Sequence, residues 1–127
     1  MKSEIPYRIE PDGAAAMAIL TGRIDAALIG ADRIAKNGDS ANKIGSLGVA
    51  LACHAARIPF LVVAPESTVD RTIASGAEIH IEIRGDEELT HFKGIQVAPI
   101  GAKTFNPAFD VTPAKYISAV ITEKQSY

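Results

Sequence analysis

The sequence predicts an α/β domain of Rossmann-like type: three layers, a mostly parallel sheet, and helices on both faces. Three observations carry this. Two fully apolar runs, "IDAALIG" at 24–30 and "IPFLVVAP" at 58–65, have the composition of strands buried on both faces. Segments with helical spacing of apolar residues lie before and between them. Strands alternating with helices at short range call for parallel strands joined by helical crossovers. With 127 residues and no repeat, linker or low-complexity stretch, positions 1–127 read as a single domain.

In chain order, "IPYRI" at 5–9 reads as a short strand. "PDGAAAMAILTGR" follows as a helix, with Asp12 as N-cap, Ala14, Met17 and Leu20 on one face, and Gly22 just past the end. The strand at 24–30 stops at glycine. From 44 to 57, Ile44, Leu47, Leu51 and Ala55 recur at helical spacing over three to four turns. The strand at 58–65 is stopped by proline. "AEIHIEI" at 77–83 alternates with period two, as a strand with one wetter face does, and "IQVAPIG" at 95–101 is a weaker strand. "TPAKYISAVITEK" opens as a helix, with Thr112 as N-cap and Pro113 at the first helical position, then runs into the β-branched "AVIT".

Composition removes several function classes. A hydrophobic fraction of 47% with 22% charged residues is that of a water-soluble globular domain. A net charge of −2 and no run of Lys or Arg argue against nucleic acid as the main partner, because phosphate backbones require a basic face. No apolar run reaches the roughly 18 residues of a membrane span, and no signal peptide pattern opens the chain. One cysteine gives neither an internal disulfide nor a metal-site spacing. The cytoplasm is the expected location, and no membrane partner is expected.

The densest polar stretch is "GADRIAKNGDSANKIG" at 30–45, between the strand at 24–30 and the helix at 44–57. In open α/β sheets, ligands bind beyond the carboxyl ends of the strands. Asp32 should lie on that rim. Asn42 and Lys43 stand at the helix entrance, where free backbone amides and the positive end of the helix dipole favour an anion. A carboxylate, an amide and an ammonium together suit a phosphorylated polyol. A purely structural reading stands beside this one: Asp32 paired with Arg33, "NGD" as an ordinary turn, and Asp39, Ser40 or Asn42 as caps. Neither the dinucleotide fingerprint nor a P-loop is present, so no cofactor is expected.

Other candidates point to structure. Cys53 has the setting of a small buried thiol. His54, His80 and His91 share no metal-ligand spacing, so no metal is expected. "DEE" at 86–88 reads as a solvated loop or a first helical turn. "APESTVD" at 64–70 follows a strand's carboxyl end and borders the same crevice. Asn106, Pro107 and Asp110 form a rigid polar loop.

"GADRIAKNGDSANKIGSLGVAL", "PFLVVAPESTVD", "GAEIHIEIR" and "VAPIGAKTFNPAFDVTPAKYISAVITEK" resemble the carboxyl-terminal domain of the methylthioribose-1-phosphate isomerase family, in order and spacing. Ribose-1,5-bisphosphate isomerases and the regulatory subunits of initiation factor 2B are related alternatives that share a version of "NKIG". Arginine after "GAD", Asp39 after "NG" and the "NPAFDVTP…ITEK" tail favour the first. The resemblance implies an aldose–ketose isomerisation in methionine salvage, with Asp32 catalytic and Asn42 and Lys43 contacting the sugar phosphate. It also implies a homodimer. The family's catalytic cysteine and phosphate-binding arginines belong to an amino-terminal region absent here, and Cys53 does not match that cysteine. Ser46 replaces a usual threonine, and Glu66 an apolar residue. A fragment, a truncated product or one half of a split enzyme, inactive without its amino-terminal half, is the resulting expectation.

Overall fold

A computed structural model describes residues 4–127. A 3-10 turn, Asp12–Ala14, leads into α1 (Ala15–Leu20), which ends at Gly22 with φ +73°. Then come β1 (Ala27–Ile29), β2 (Arg33–Ala35), β3 (Ser40–Lys43), α2 (Ser46–Ala56), β4 (Phe60–Val63) and β5 (Val69–Asp70). The second half holds α3 (Glu87–Thr90), β6 (His91–Phe92), β7 (Ile95–Gln96), β8 (Phe109–Thr112) and β9 (Ala119–Ile121). The α/β class and the parallel strands agree with the sequence reading.

The parallel sheet has the order β1-β4-β9, with Leu28 beside Leu61 and Val62 beside Val120. Its β9 edge is covered by the chain's own tail: Val120 and Tyr127 exchange backbone hydrogen bonds of 2.6 and 2.9 Å. A second, mixed sheet runs β5-β2-β3-β8, with β2 and β3 forming an antiparallel hairpin. Phe60 and Val62 of β4 share one core with Ile19 of α1, Ala50 and Cys53 of α2, Ile34 of β2 and Val120 of β9. A smaller core of Ala35, Ala41 and Ile79 lies on the other face of the mixed sheet, with Val111 packed against it. Burial of a Phe, Ile or Val side chain contributes about 1.5–3 kcal/mol, so the first core is the main stabilising feature.

Several expected elements differ. Residues 5–9 form no strand, and Ile5, Tyr7 and Ile9 are 73%, 84% and 91% exposed. Asp12 makes no capping hydrogen bond, and α1 buries Ala18 and Ile19 while Met17 and Leu20 are exposed. β1 is not buried on both faces: it is an edge strand, and Leu28 is 65% exposed. The expected apolar stripe is not the core face: Ile44 lies ahead of α2 and is exposed, as is Leu51, while Leu47 is half-buried. The buried face is Ser46, Ala50, Ala52 and Cys53, whose small side chains let the helix approach the sheet closely.

Residues 77–83 keep their alternation only around Ile79, which is buried, and His80, which is exposed; Gly76–Glu78 is a 3-10 turn, Ile83 is exposed, and the segment makes one bridge, Ile83 to Pro107. Pro107 has no amide to extend a ladder. Of 95–101 only Ile95–Gln96 pairs, with His91–Phe92, across a turn in which Lys93 and Gly94 both have positive φ. The acidic run at 86–88 enters α3. After Thr112, which is a strand residue and not a cap, the chain makes a single 3-10 turn, Ala114–Tyr116. The β-branched "AVI" then forms β9 rather than helix.

Candidate functional site

The polar stretch at 30–45 is a hairpin rather than a loop. β2 pairs with β3 through Arg33–Ala41 and Ile34–Ser40, and Asn37 and Gly38 turn the chain. Just before β2 the Asp32 amide donates at 2.8 Å to the carbonyl of Ala41, the residue that Arg33 already faces, so the regular ladder ends there. Asp32 follows β1 at its carboxyl end, on the rim where ligands bind in such sheets. Together with Arg33, Ser67, Thr68, Asp70, Arg71 and Thr72 it lines an open cleft, so "APESTVD" does border the crevice.

Asn42 and Lys43 are successive strand residues and leave β3 on opposite faces. The Asn42 amide donates to Ser46 Oγ at 2.9 Å, and that hydroxyl donates to the Lys43 carbonyl at 2.8 Å. Lys43 Nζ stands 6.0 Å from the centre of the Phe109 ring, its cross-strand neighbour. The cleft that Asp32 lines includes neither Asn42 nor Lys43, so the structure does not bring the three residues into one pocket.

The amino end of α2 is not free for a ligand. Gly45, at φ +105°, donates its amide to Asp110 Oδ2 at 2.8 Å, and Leu47 donates to Asp110 Oδ1 at 3.1 Å. Asp110 thus takes the anion position expected for a phosphate, which corrects the expectation of open amides there. None of Asp39, Ser40 and Asn42 caps α2. Asp39 ties its turn to two distant segments: it accepts from the Gly76 amide (2.9 Å) and the Ala114 amide (2.8 Å), and from the neighbouring Asn37 Nδ2 (2.9 Å). Burial works to raise its pKa, but the Ala114, Asn37 and Gly76 donors outweigh it and hold the carboxyl below its ordinary value.

Charge pairing separates the cleft's groups. Arg33 pairs with Asp70 at 3.6 Å, and Arg71 with Glu66 at 3.0 Å. Asp70 is held below the ordinary carboxylate range by the Thr72 hydroxyl and amide, with Arg33 adding to the effect. Glu66 is lowered by Thr122 and Arg71, and Tyr127 also donates to it. Among the described residues, the Asp32 carboxylate and the Lys43 ammonium have no hydrogen-bond or ion-pair partner. The Asp32–Arg33 pair suggested by a purely structural reading does not form. Cys53 is fully buried, which pushes its thiol pKa up and leaves it inert. No group of three His, Cys, Asp or Glu able to hold a metal occurs among the described residues. Nor is any helix there long and apolar enough to cross a membrane.

The sequence reading missed Ser67, Thr68 and Thr72 as individual lining residues and Asp110 as the helix cap. The first three were signalled only as the segment after a strand's carboxyl end. The cap joins residues 65 positions apart, beyond any local pattern.

The profile of the initiation factor 2 subunit family matches residues 1–125. The chain belongs to that family. It is 55% identical over 124 residues to a methylthioribose-1-phosphate isomerase of Citrifermentans bemidjiense, covering 98% of this chain and 36% of that protein. It is 56% identical over 119 residues to a probable bifunctional methylthioribose-1-phosphate isomerase/methylthioribulose-1-phosphate dehydratase of Nocardia farcinica, covering 94% and 22%. The chain thus spans about a third, or less, of the length of these relatives. Among solved structures, the 5-methylthioribose 1-phosphate isomerase of Pyrococcus horikoshii matches with a TM-score of 0.86 and 45% identity, over 91% of this chain and 32% of that one. Subunit delta of the translation initiation factor eIF-2B from A. fulgidus matches at 0.84 and 36%, over 91% and 33%.

Proposed function

We propose that this family member carries the acid–base portion of an aldose–ketose isomerase. In this reading it converts methylthioribose 1-phosphate to methylthioribulose 1-phosphate in methionine salvage. The observation that carries the reading is the unpartnered Asp32 carboxylate on the carboxyl rim of a parallel sheet, lining an open cleft, in a chain 55% identical to a protein of that name. Ring opening needs a proton on the ring oxygen as its bond to C1 breaks. C1 then gains the hydrogen that C2 gives up, and the C2 hydroxyl proton leaves as the ketone forms. Asp32 moves the proton. Asn42 spends one amide hydrogen on Ser46 and keeps its carbonyl oxygen for a sugar hydroxyl. Lys43 supplies positive charge to the phosphate. Neither a cofactor nor a metal enters the scheme.

The test combines this chain with a polypeptide covering the rest of a relative's length, and follows ketose formation from methylthioribose 1-phosphate. The combined protein should turn over, the chain alone should not, and Asp32→Asn should cost about 10²–10⁴-fold. Full activity of Asp32→Asn, or of the chain alone, would overturn the assignment. The active unit in this proposal is a homodimer, so a monomeric mass by sedimentation at micromolar concentration counts against that part. The likeness to the A. fulgidus subunit favours a second reading, a regulatory association module. That reading gains if the combined protein assembles and shows no turnover.

A further inference from the structure

We propose that a hollow at the amino ends of the parallel strands is a seat for a phosphate group, at the opposite end of the sheet from Asp32. β1, β4 and β9 run parallel, so the residues leading into β4 and β9 meet on the rim that Asp32 does not occupy. There His54 and Arg57 at the end of α2, Ile58 and Pro59 ahead of β4, and Lys115 and Tyr116 ahead of β9 line a hollow of about 480 Å³.

Its charge is of one sign. No Asp or Glu lines it, and neither Arg57 nor Lys115 has a carboxylate partner among the described residues. In a chain whose net charge is −2, that leaves an uncompensated positive concavity, and such a surface concentrates the opposite ion. The helix dipole favours a cation at the end of α2, but Lys115 reaches the hollow from a separate 3-10 turn.

Arg57 adds an independent sign. It ends α2 at φ +58° and ψ +37°, a left-handed position where helices usually place glycine because a Cβ is strained there. A long cationic side chain kept at that cost points to a use for the side chain. Its guanidinium offers a planar fork of donors that fits two phosphate oxygens at once. Lys115 Nζ lies over the Tyr116 ring, 4.9 Å from its centre, and His54 packs edgewise on the same ring with centroids 5.2 Å apart. Ser118 Oγ, also in the lining, accepts from the Phe60 amide at 3.1 Å and keeps its own hydrogen to donate. Ile58 and Pro59 form an apolar wall, so a phosphorylated small molecule can rest its body beside the phosphate. The inference does not depend on the isomerase reading.

Titration of the intact chain followed by amide NMR provides the test. The probes are inorganic phosphate and phenyl phosphate, with sodium chloride of equal ionic strength as the reference. The amides of Arg57, Ile58, Tyr116 and Ser118 should shift saturably with phosphate and not with chloride. Arg57→Gly should weaken phosphate binding about 10-fold or more while the urea midpoint holds or rises, which a merely structural arginine would not give. Lys115→Gln should weaken it too, and decides the matter if Arg57→Gly folds poorly. Lys43→Ala should leave these shifts as they are, which separates this seat from the stretch at 30–45. Tighter binding of phenyl phosphate supports a phosphorylated small molecule as the occupant, and equal binding supports free phosphate. Shifts that chloride reproduces, or an affinity unchanged in Arg57→Gly and Lys115→Gln alike, overturn the proposal.

Discussion

Asp110 accepts the amide of Gly45 at 2.8 Å, so α2 carries its own anion at its amino end, supplied from a strand 65 residues away. The same carboxylate accepts from Leu47 and lies opposite Asn42 in the β3–β8 ladder. Loss of a helix cap costs about 0.5–2 kcal/mol. Asp110→Ala should therefore lower the urea midpoint by an amount equivalent to about 1–2 kcal/mol. An unchanged midpoint would mean the cap contributes nothing.

Asp39 should make stability depend on acid pH. Its folded pKa lies below the ordinary 3.8. Its contribution is complete above that value and is lost as the pH falls through the lower folded value. Denaturation midpoints measured from about pH 5 down to about pH 2 should fall for the natural chain and change less for Asp39→Asn. Parallel curves would remove Asp39 as the source.

Gly76 sits against that carboxylate. A Cβ there would collide with Val111 Cγ1 and come within 3.0 Å of Asp39 Cβ. Gly76→Ala should destabilise by about 1–3 kcal/mol, the range of an overpacked interior. Calorimetry that shows no loss would mean the Val111 side chain moves aside freely.

Ser40 and Thr112 face each other across β3 and β8, fully buried, and neither hydroxyl has a hydrogen-bond partner among the described residues. A buried hydroxyl without a partner costs about 1–3 kcal/mol. Thr112→Val keeps the shape and removes that cost, so chemical denaturation should show a gain of about 1 kcal/mol. A loss of stability would show that the hydroxyl is satisfied in solution.

Lys43 is exposed and has no carboxylate partner, so the fold should tolerate its loss while binding should not. A hydrogen bond to a charged group contributes about 1.5–3 kcal/mol, so Lys43→Ala should raise KM for the sugar phosphate roughly 10- to 100-fold in the combined protein. An unchanged KM would take Lys43 out of the site.

The parts legible in the sequence are those whose signal is local and apolar. β4 and the extent of α2 were readable because their apolar runs and glycine or proline stops match what forms. The face of α2 was not, because periodicity counts large apolar residues while the core selected Ala50, Ala52 and Cys53 for closeness. Residues 5–9 and 77–83 show strand alternation, yet a strand exists only through its neighbour, and a single-residue pattern does not name one. The hairpin at 33–43 was hidden because its residues are polar and its pairing depends on β5 and β8 on either side. The rim position of Asp32 was legible from its place after an apolar strand. The separation of Asn42 and Lys43 onto two faces follows from their being strand residues, which only the hairpin reveals.

The backbone bonds between Val120 and Tyr127 have a consequence for assembly. A sheet that seals one margin with its own tail and leaves the other bare can be extended in one direction only. Addition at β1 is a terminating event, not the start of a repeating stack, because any second copy arrives with its own β9 side already occupied.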